Sequence, residues 1–271
     1  MLAVIKGAGD LASGIALRLH HAGFKIAMTE IPAPLAVRRT VSFSQAVYSG
    51  SFRVEDVCAV LVKNEDEMRE VFADNRIAVF VDPGAEIVKK ICPGALIDAI
   101  MAKKNTGTAI GDAPVVIGIG PGFTAGVDCH AVVETQRGHT LGRLITQGGA
   151  LPNTGVPGEV GGFTSERLLR SPAEGVFEAL PSISIGSMVR KGDAVAVVRP
   201  LEPCSADEAA TIKAEIDGIV RGLLPSGIHV TPGMKAGDID PRCERSHCFT
   251  VSDKALAIAG GVLEGIMRFS P

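Results

Sequence analysis

The 271-residue sequence contains no tryptophan, one tyrosine and ten phenylalanines. With so few rings, its core has to be aliphatic, and 46% hydrophobic residues supply the material. No unbroken apolar run approaches the roughly 18 residues that a membrane-spanning helix needs, so no span is expected. No block of lysine and arginine stands out, and the formal charge is −3. That composition excludes the electrostatic footprint of a nucleic-acid-binding protein. Cysteine is sparse as well: six residues stand at 58, 92, 129, 204, 243 and 248. Their scatter is not that of a disulfide framework, and reduced thiols in a cytoplasm are the expectation. No basic leader precedes the first apolar strand, so no secretory signal is expected.

What the chain does have is 32 glycines and 16 prolines. That many turn formers suits an α/β or β-rich chain better than a helical bundle. The opening segment, Val4 to Leu19, reads VIKGAGDLASGIALRL. It predicts a buried strand, a glycine turn at Gly7 and Gly9, and an amphipathic helix from Leu11 to His21 with Leu11, Ile15 and Leu19 on one stripe. Ala12 stands where a third glycine often sits in a dinucleotide-binding turn. A second strand ends at Glu30, 23 residues beyond Gly7. In that arrangement the glycines let a phosphate approach the helix N-terminus, and the acid at the second strand's end holds the ribose hydroxyls. Glu30 favours NAD over a 2′-phosphorylated ligand, because a phosphate beside a carboxylate is repelled. Asp10 opposes this reading, since its carboxylate at the helix entrance is placed to cap the free amides itself. A ligand-free tight corner stays open as the other reading.

Further apolar runs at 57–62, 77–82 and 95–100 read as parallel strands, short and apolar throughout. Asp82 and Asp98 fall at strand ends, where α/β sheets bind ligands and where aspartates also commonly cap turns. The segment from Pro114 to Ile145 reads as a strand, a glycine loop, a second strand and a shorter element. Gly120 and Gly122 in that loop are candidate anion-binding positions through their backbone amides. Beyond it, Cys129 precedes His130. A thiol beside an imidazole is a candidate catalytic nucleophile. In an extended strand, however, neighbouring side chains face opposite ways, and a free cysteine is commonly a small buried hydrophobe. Arg137, His139 and Arg143 are further anion-contact candidates or plain surface residues.

An internal repeat follows. Ser171, Gly175, Val176 and Phe177 align with Ala214, Gly218, Ile219 and Val220 at a shift of 43 residues. Gly186, Val189 and Gly192 align with Gly227, Val230 and Gly233 at a shift of 41. Two interlocked copies of this kind resemble the barrel-sandwich hybrid of biotinyl and lipoyl domains. The connection between the copies, Arg199 to Thr211, contains no lysine, so an amide-linked swinging arm is excluded there. It does contain Cys204, a candidate carrier of a persulfide-like adduct. Near the chain's end, Cys243, His247 and Cys248 lack the paired spacing of a strong zinc site, and no metal is expected. A closing helix after Ser252 is expected to bury Leu256, Ala259, Leu263 and Met267.

Five motifs carry a family resemblance: KGAGDLASGIALRL, DAIMAKKNTGT, IGIGPGFTAGVDCHAVVETQRGHTLGR, NTGVPGEVGGFTSERLLRSPAEG and KAGDIDPR. Together they resemble the maturation proteins of selenium-dependent molybdenum hydroxylases. The first motif also resembles the Rossmann domain of the xanthine dehydrogenase accessory factor. The resemblance implies a cytoplasmic accessory protein that binds molybdenum cofactor, or a nucleotide part of it, with a molybdenum hydroxylase as partner. Gly7, Gly9, Ala12, Glu30, Gly120 and Gly122 are then the cofactor-binding candidates, with Cys129 the catalytic one. Two other classes remain open: an NAD-dependent oxidoreductase, although no catalytic tetrad is recognisable, and a non-catalytic adaptor docking on the hydroxylase.

The expected architecture is α/β. A Rossmann-like parallel sheet occupies residues 1–110, a glycine-rich β connection 111–165, a barrel-sandwich-hybrid-like repeat domain 166–240, and a helix packing back 241–271.

Overall fold

The computed structural model describes residues 1–201 and 209–270. Cys204, singled out above, lies outside the described residues. The chain divides into two compact units, residues 1–34, 41–154 and 251–271 in the first and residues 35–40 and 155–250 in the second. The glycine-rich connection expected at 111–165 is therefore shared out, its larger part to the first unit.

The first unit is built on a nine-stranded sheet. Its elements are β1 (Leu2–Lys6), α1 (Asp10–His21), β2 (Lys25–Glu30), α2 (Ala46–Ser49), β3 (Ser51–Val54), β4 (Val57–Val62), α3 (Glu65–Ala73), β5 (Ile77–Val81), α4 (Ile87–Ile91), β6 (Ala95–Asp98), β7 (Val115–Ile119), β8 (Ala131–Val133), β9 (Leu144–Ile145) and α5 (Asp253–Phe269). The strand order is β3-β4-β5-β2-β1-β6-β7-β8-β9. Strands β4 to β8 run parallel, whereas β3 and β9 are antiparallel to their neighbours. The central strands are apolar through most of their length, with charged residues only at their ends, because both faces of the sheet are covered. Ala3, Ile5, Ile97 and Ile117 belong to one core with α1 and α5, and Val4, Leu96 and Val116 to the other with α3 and α4.

Helix α1 buries seven of its residues, more than one stripe, and Gly14 brings it against α5. A methyl group on Gly14 would lie 2.6 Å from the Ala255 Cβ. Helix α5 buries Ala255, Ile258, Ala259, Val262 and Ile266, while Met267 is 70% exposed. Its buried face is thus rotated from the expected 256/259/263/267 stripe. The reason is close packing: the interface uses alanine and glycine rather than the bulkiest side chains, and a pattern of large residues misses it.

Unit two holds β10 (Leu168–Arg170), β11 (Gly175–Ala179), β12 (Met188–Val189), β13 (Ala194–Arg199), β14 (Ala210–Lys213), β15 (Gly218–Leu223), β16 (His229–Val230) and β17 (Lys235–Asp240). They form two antiparallel four-stranded sheets, β10-β17-β15-β12 and β14-β13-β11-β16. The repeat is visible in the pairing: the short strand of each copy, β12 or β16, joins the long first strand of the other, β15 or β11. The chain passes β15 once more at residues 35–40, where the Leu223 amide donates to the Val37 carbonyl at 2.7 Å.

The expected fold class is corrected on these observations. The large sheet is mixed rather than a parallel Rossmann sheet, and it is not paired with a biotinyl- or lipoyl-type module. Apolar runs report that a strand is buried, not the direction in which it runs. The two antiparallel edges come from short local returns, such as the two-residue turn at Glu55-Asp56 between β3 and β4. Among the described residues no helix is long and apolar enough to cross a membrane.

Candidate functional site

From β1 the chain passes through α1 to β2 on one side, and later returns from β5 through α4 to β6 on β1's other side. The connections therefore reverse at β1. In open α/β sheets the crevice outside the carboxyl ends of strands at such a reversal is the habitual ligand site. Lys6, Gly7, Glu30 and Asp98 all stand at this edge, with Lys6 and Asp98 paired in register.

The turn at Gly7 is tight: its φ is +91°, a region that glycine enters without strain. Gly9 forms the N-cap of α1 without a side-chain capping hydrogen bond. A methyl group built on Gly9 would meet no atom within 4 Å. The turn is thus open to solvent in front of Gly9, and the first-turn amides of α1 have no carbonyl of their own helix to bond. Asp10, the expected plug, opens the helix one residue further on and lies within electrostatic reach of Lys254. Ala12 is buried inside the unit.

Glu30 closes the other side of the turn. Its carboxylate accepts the Ala8 amide at 3.0 Å and the Ile31 amide at 2.8 Å. Burial raises its pKa above the ordinary glutamate range, against the opposing effect of those two amides. Beside it, Lys6 Nζ lies 2.6 Å from Thr108 Oγ1 and 3.2 Å from Asp98 Oδ2. Thr108 donates onward to Asp98 Oδ2 at 2.6 Å. All three side chains are buried, and the network ties the 99–112 loop to the strand ends.

Helix α5 runs alongside α1 in the same direction, with Ala255 beside Gly14 and Arg18 beside Gly260, so both helix N-termini reach this edge. Ser252 caps α5 by accepting the Ala255 amide at 3.2 Å. Lys254, in the first turn, is half-buried. Burial and the neighbouring Arg137 push its pKa below the usual lysine range, while Asp10, Glu134 and Asp253 pull the other way. The sequence singled out neither Lys254 nor Thr108. A lysine in a first helical turn, against the dipole, is the one local signal that marks Lys254.

The second glycine loop is arranged differently. A methyl group on Gly120 would lie 2.7 Å from Thr135 Oγ1, and one on Gly122 would lie 2.7 Å from the Lys104 backbone. Both glycines face protein, not an open crevice. Arg137 is engaged by Asp253, at 2.8 and 3.1 Å. Cys129 is fully buried in the core, and burial pushes its thiol up to about 11. The His130 ring turns away from it, accepting the Val116 amide at 3.0 Å and lying 5.8 Å from the Phe269 ring. Cys129 and His130 therefore form no nucleophile–base pair. Cys243 is exposed while Cys248 is buried, and no group of three His, Cys, Asp or Glu among the described residues is placed to hold a metal ion.

No protein-family model matches the chain. It is 48% identical over 266 residues to the Escherichia coli K12 protein named "Uncharacterized protein YqeB". The match takes in 98% of this chain but 47% of the relative, so the chain spans about half the length of the curated relative it matches. Among solved structures, an aspartoacylase family protein from Mesorhizobium loti is similar at a TM-score of 0.31 and 15% identity, over 88% of this chain and 84% of that one. A succinylglutamate desuccinylase/aspartoacylase from Rhodobacter sphaeroides is similar at a TM-score of 0.29 and 13% identity, over 88% and 85%. None of these carries the name of a molybdenum-enzyme accessory protein, a nicotinamide oxidoreductase or a hydroxylase adaptor. The expected selenium-dependent molybdenum hydroxylase maturation family, and the function drawn from it, are corrected on that finding, as are the two alternative functions.

Proposed function

We propose that the first unit binds a phosphate-bearing small molecule of the nucleotide class at the carboxyl edge of its sheet, with the Gly7–Asp10 turn on the phosphate. The observation that carries this reading is the open space in front of Gly9 at the uncapped start of α1. A helix N-terminus with exposed amides favours an anion there. Lys254 adds a half-buried ammonium in the first turn of α5. Ile31, Val81 and Ile100, at the ends of β2, β5 and β6, are 39%, 42% and 40% exposed and offer apolar surface for a flat ring. Glu30 beside the turn disfavours a second phosphate and favours a ligand with free ribose hydroxyls. A cytoplasmic location belongs to the same reading, supported by five described cysteines that are all free thiols.

Calorimetric titration with ADP, NAD and inorganic pyrophosphate tests the proposal. We expect saturable binding of at least one nucleotide, and its loss in Gly9→Val with the melting temperature unchanged, because added carbons fill the phosphate's place. Absence of binding by the wild type, or undiminished affinity in Gly9→Val, would overturn it.

A further inference from the structure

At the opposite, amino edge of the same sheet lies a cleft of about 600 Å³, within the size range of small-molecule sites. Its chemistry comes from His20 and His21 in the last turn of α1, Arg53 and Asp56 in the β3–β4 hairpin, and Asp74 and Arg76 between α3 and β5. The two carboxylates are already engaged. Asp56 accepts His21 Nε2 at 3.0 and 3.1 Å, and Asp74 pairs with Arg76. Arg53 uses one nitrogen, donating to the Asp56 carbonyl at 2.8 Å.

Two polar atoms of the lining residues are left over. His20 Nδ1 and Arg76 Nε are buried and have no hydrogen-bond partner among the described residues. The His20 Nε2 atom faces the Asn75 carbonyl at 2.9 Å, so Nε2 carries a hydrogen. His20 Nδ1 is then a bare acceptor in the neutral ring and a donor in the imidazolium. The Arg76 Nε–H is a donor at any ordinary pH. A single species satisfies both: an oxyanion bound to the protonated ring. The titratable and charged groups lining the cleft with His20 are His21 on its own helix, Arg53 and Asp56 on the hairpin, and Asp74 and Arg76 before β5, with the Cys58 thiol also in the lining. With the imidazoles neutral, the arginines and aspartates cancel, so an anion is attracted only as the imidazoles gain protons.

We propose that this cleft is a second binding site, for the phosphate or carboxylate group of a small molecule, and that binding takes up a proton at His20. It stands independently of the carboxyl-edge reading. The test follows the histidine ring protons by NMR while inorganic phosphate or succinate is added to the full chain. We expect saturable shifts at His20 and His21, and affinity that rises up to about tenfold per pH unit as pH falls through the imidazole range. Arg76→Gln is expected to weaken binding by at least about tenfold, and Arg53→Gln by less. His20→Gln, whose amide can still reach the Asn75 carbonyl, is expected to flatten the pH dependence to the part that His21 supplies. The two probes separate the phosphate from the carboxylate source. Unsaturable shifts with both probes in the wild type, or an Arg76→Gln protein that folds and binds equally well, would overturn the proposal.

Discussion

Two glycine turns lie at the carboxyl edge of one sheet, and they read alike in sequence: Gly-Ala-Gly at 7–9 and Gly-Pro-Gly at 120–122. Their glycines answer different demands. At Gly9 the backbone is ordinary, with φ at −71°, and the space beyond is empty. At Gly122 the backbone is left-handed, with φ at +109°, and the space is filled by Lys104. The first glycine keeps room for something outside the chain. The second lets two pieces of the chain touch. A glycine-rich loop is therefore no evidence of a ligand until the space before it is known to be open.

The sharpest break of that contrast is Gly122→Ala against Gly9→Ala. A methyl group at position 122 meets Lys104 backbone atoms at 2.7 Å in a conformation that alanine avoids, and we expect a loss of about 3 kcal/mol or more. The same change at Gly9 is expected to shift stability by no more than about 0.5 kcal/mol. Urea titration of both variants decides; equal losses would erase the distinction.

Glu30 sharpens the open turn. Glu30→Gln removes one of the two acceptors that hold the Ala8 and Ile31 amides, a cost of about 1–2 kcal/mol. The pH dependence has a definite sign. Because the folded state raises the Glu30 pKa, the carboxyl contributes most below the ordinary glutamate value, and that contribution fades as pH rises through the folded value. The stability advantage of the wild type over Glu30→Gln should therefore shrink from acidic to neutral pH. A widening gap would mean that the amides, not burial, govern the carboxylate.

Beside the closed turn, Cys129 should be the quietest of the compared cysteines. At about pH 8 its buried thiol is far below a value of about 11, and thiolate is the reacting form. Mass spectrometry after iodoacetamide should find the exposed Cys92 and Cys243 alkylated first. Early labelling of Cys129 in folded protein would mean that the second turn opens.

Much of the fold was legible because burial leaves a period in the sequence. The runs at 2–5, 57–62 and 77–81 are apolar from end to end and lie in interior strands of the sheet. The repeat was legible because its matched glycines, Gly186, Gly192, Gly227 and Gly233, all sit at positive φ, which few other residues tolerate. The parallel direction of the strands at 57–62, 77–81 and 95–98 was legible, but the antiparallel edges β3 and β9 were not. Nor was the face that α5 buries, since small residues at a helix contact carry almost no hydrophobic signal. The candidate site was half visible. Gly7, Gly9 and Glu30 follow a known spacing, whereas Thr108 and Lys254 reach the same edge from distant segments.

Taken alone, the order of residues determined which stretches are buried, where the chain must turn tightly, and that an aliphatic core holds it together. Those are local demands, met within a few residues of where they arise. Only the tertiary structure decided which glycine faces open space, that Cys129 is sealed from solvent, and that Lys6, Asp98 and Thr108 share one buried network. Each of these depends on what the rest of the chain brings alongside, and contacts between segments as far apart as residues 6 and 108 leave no period to read.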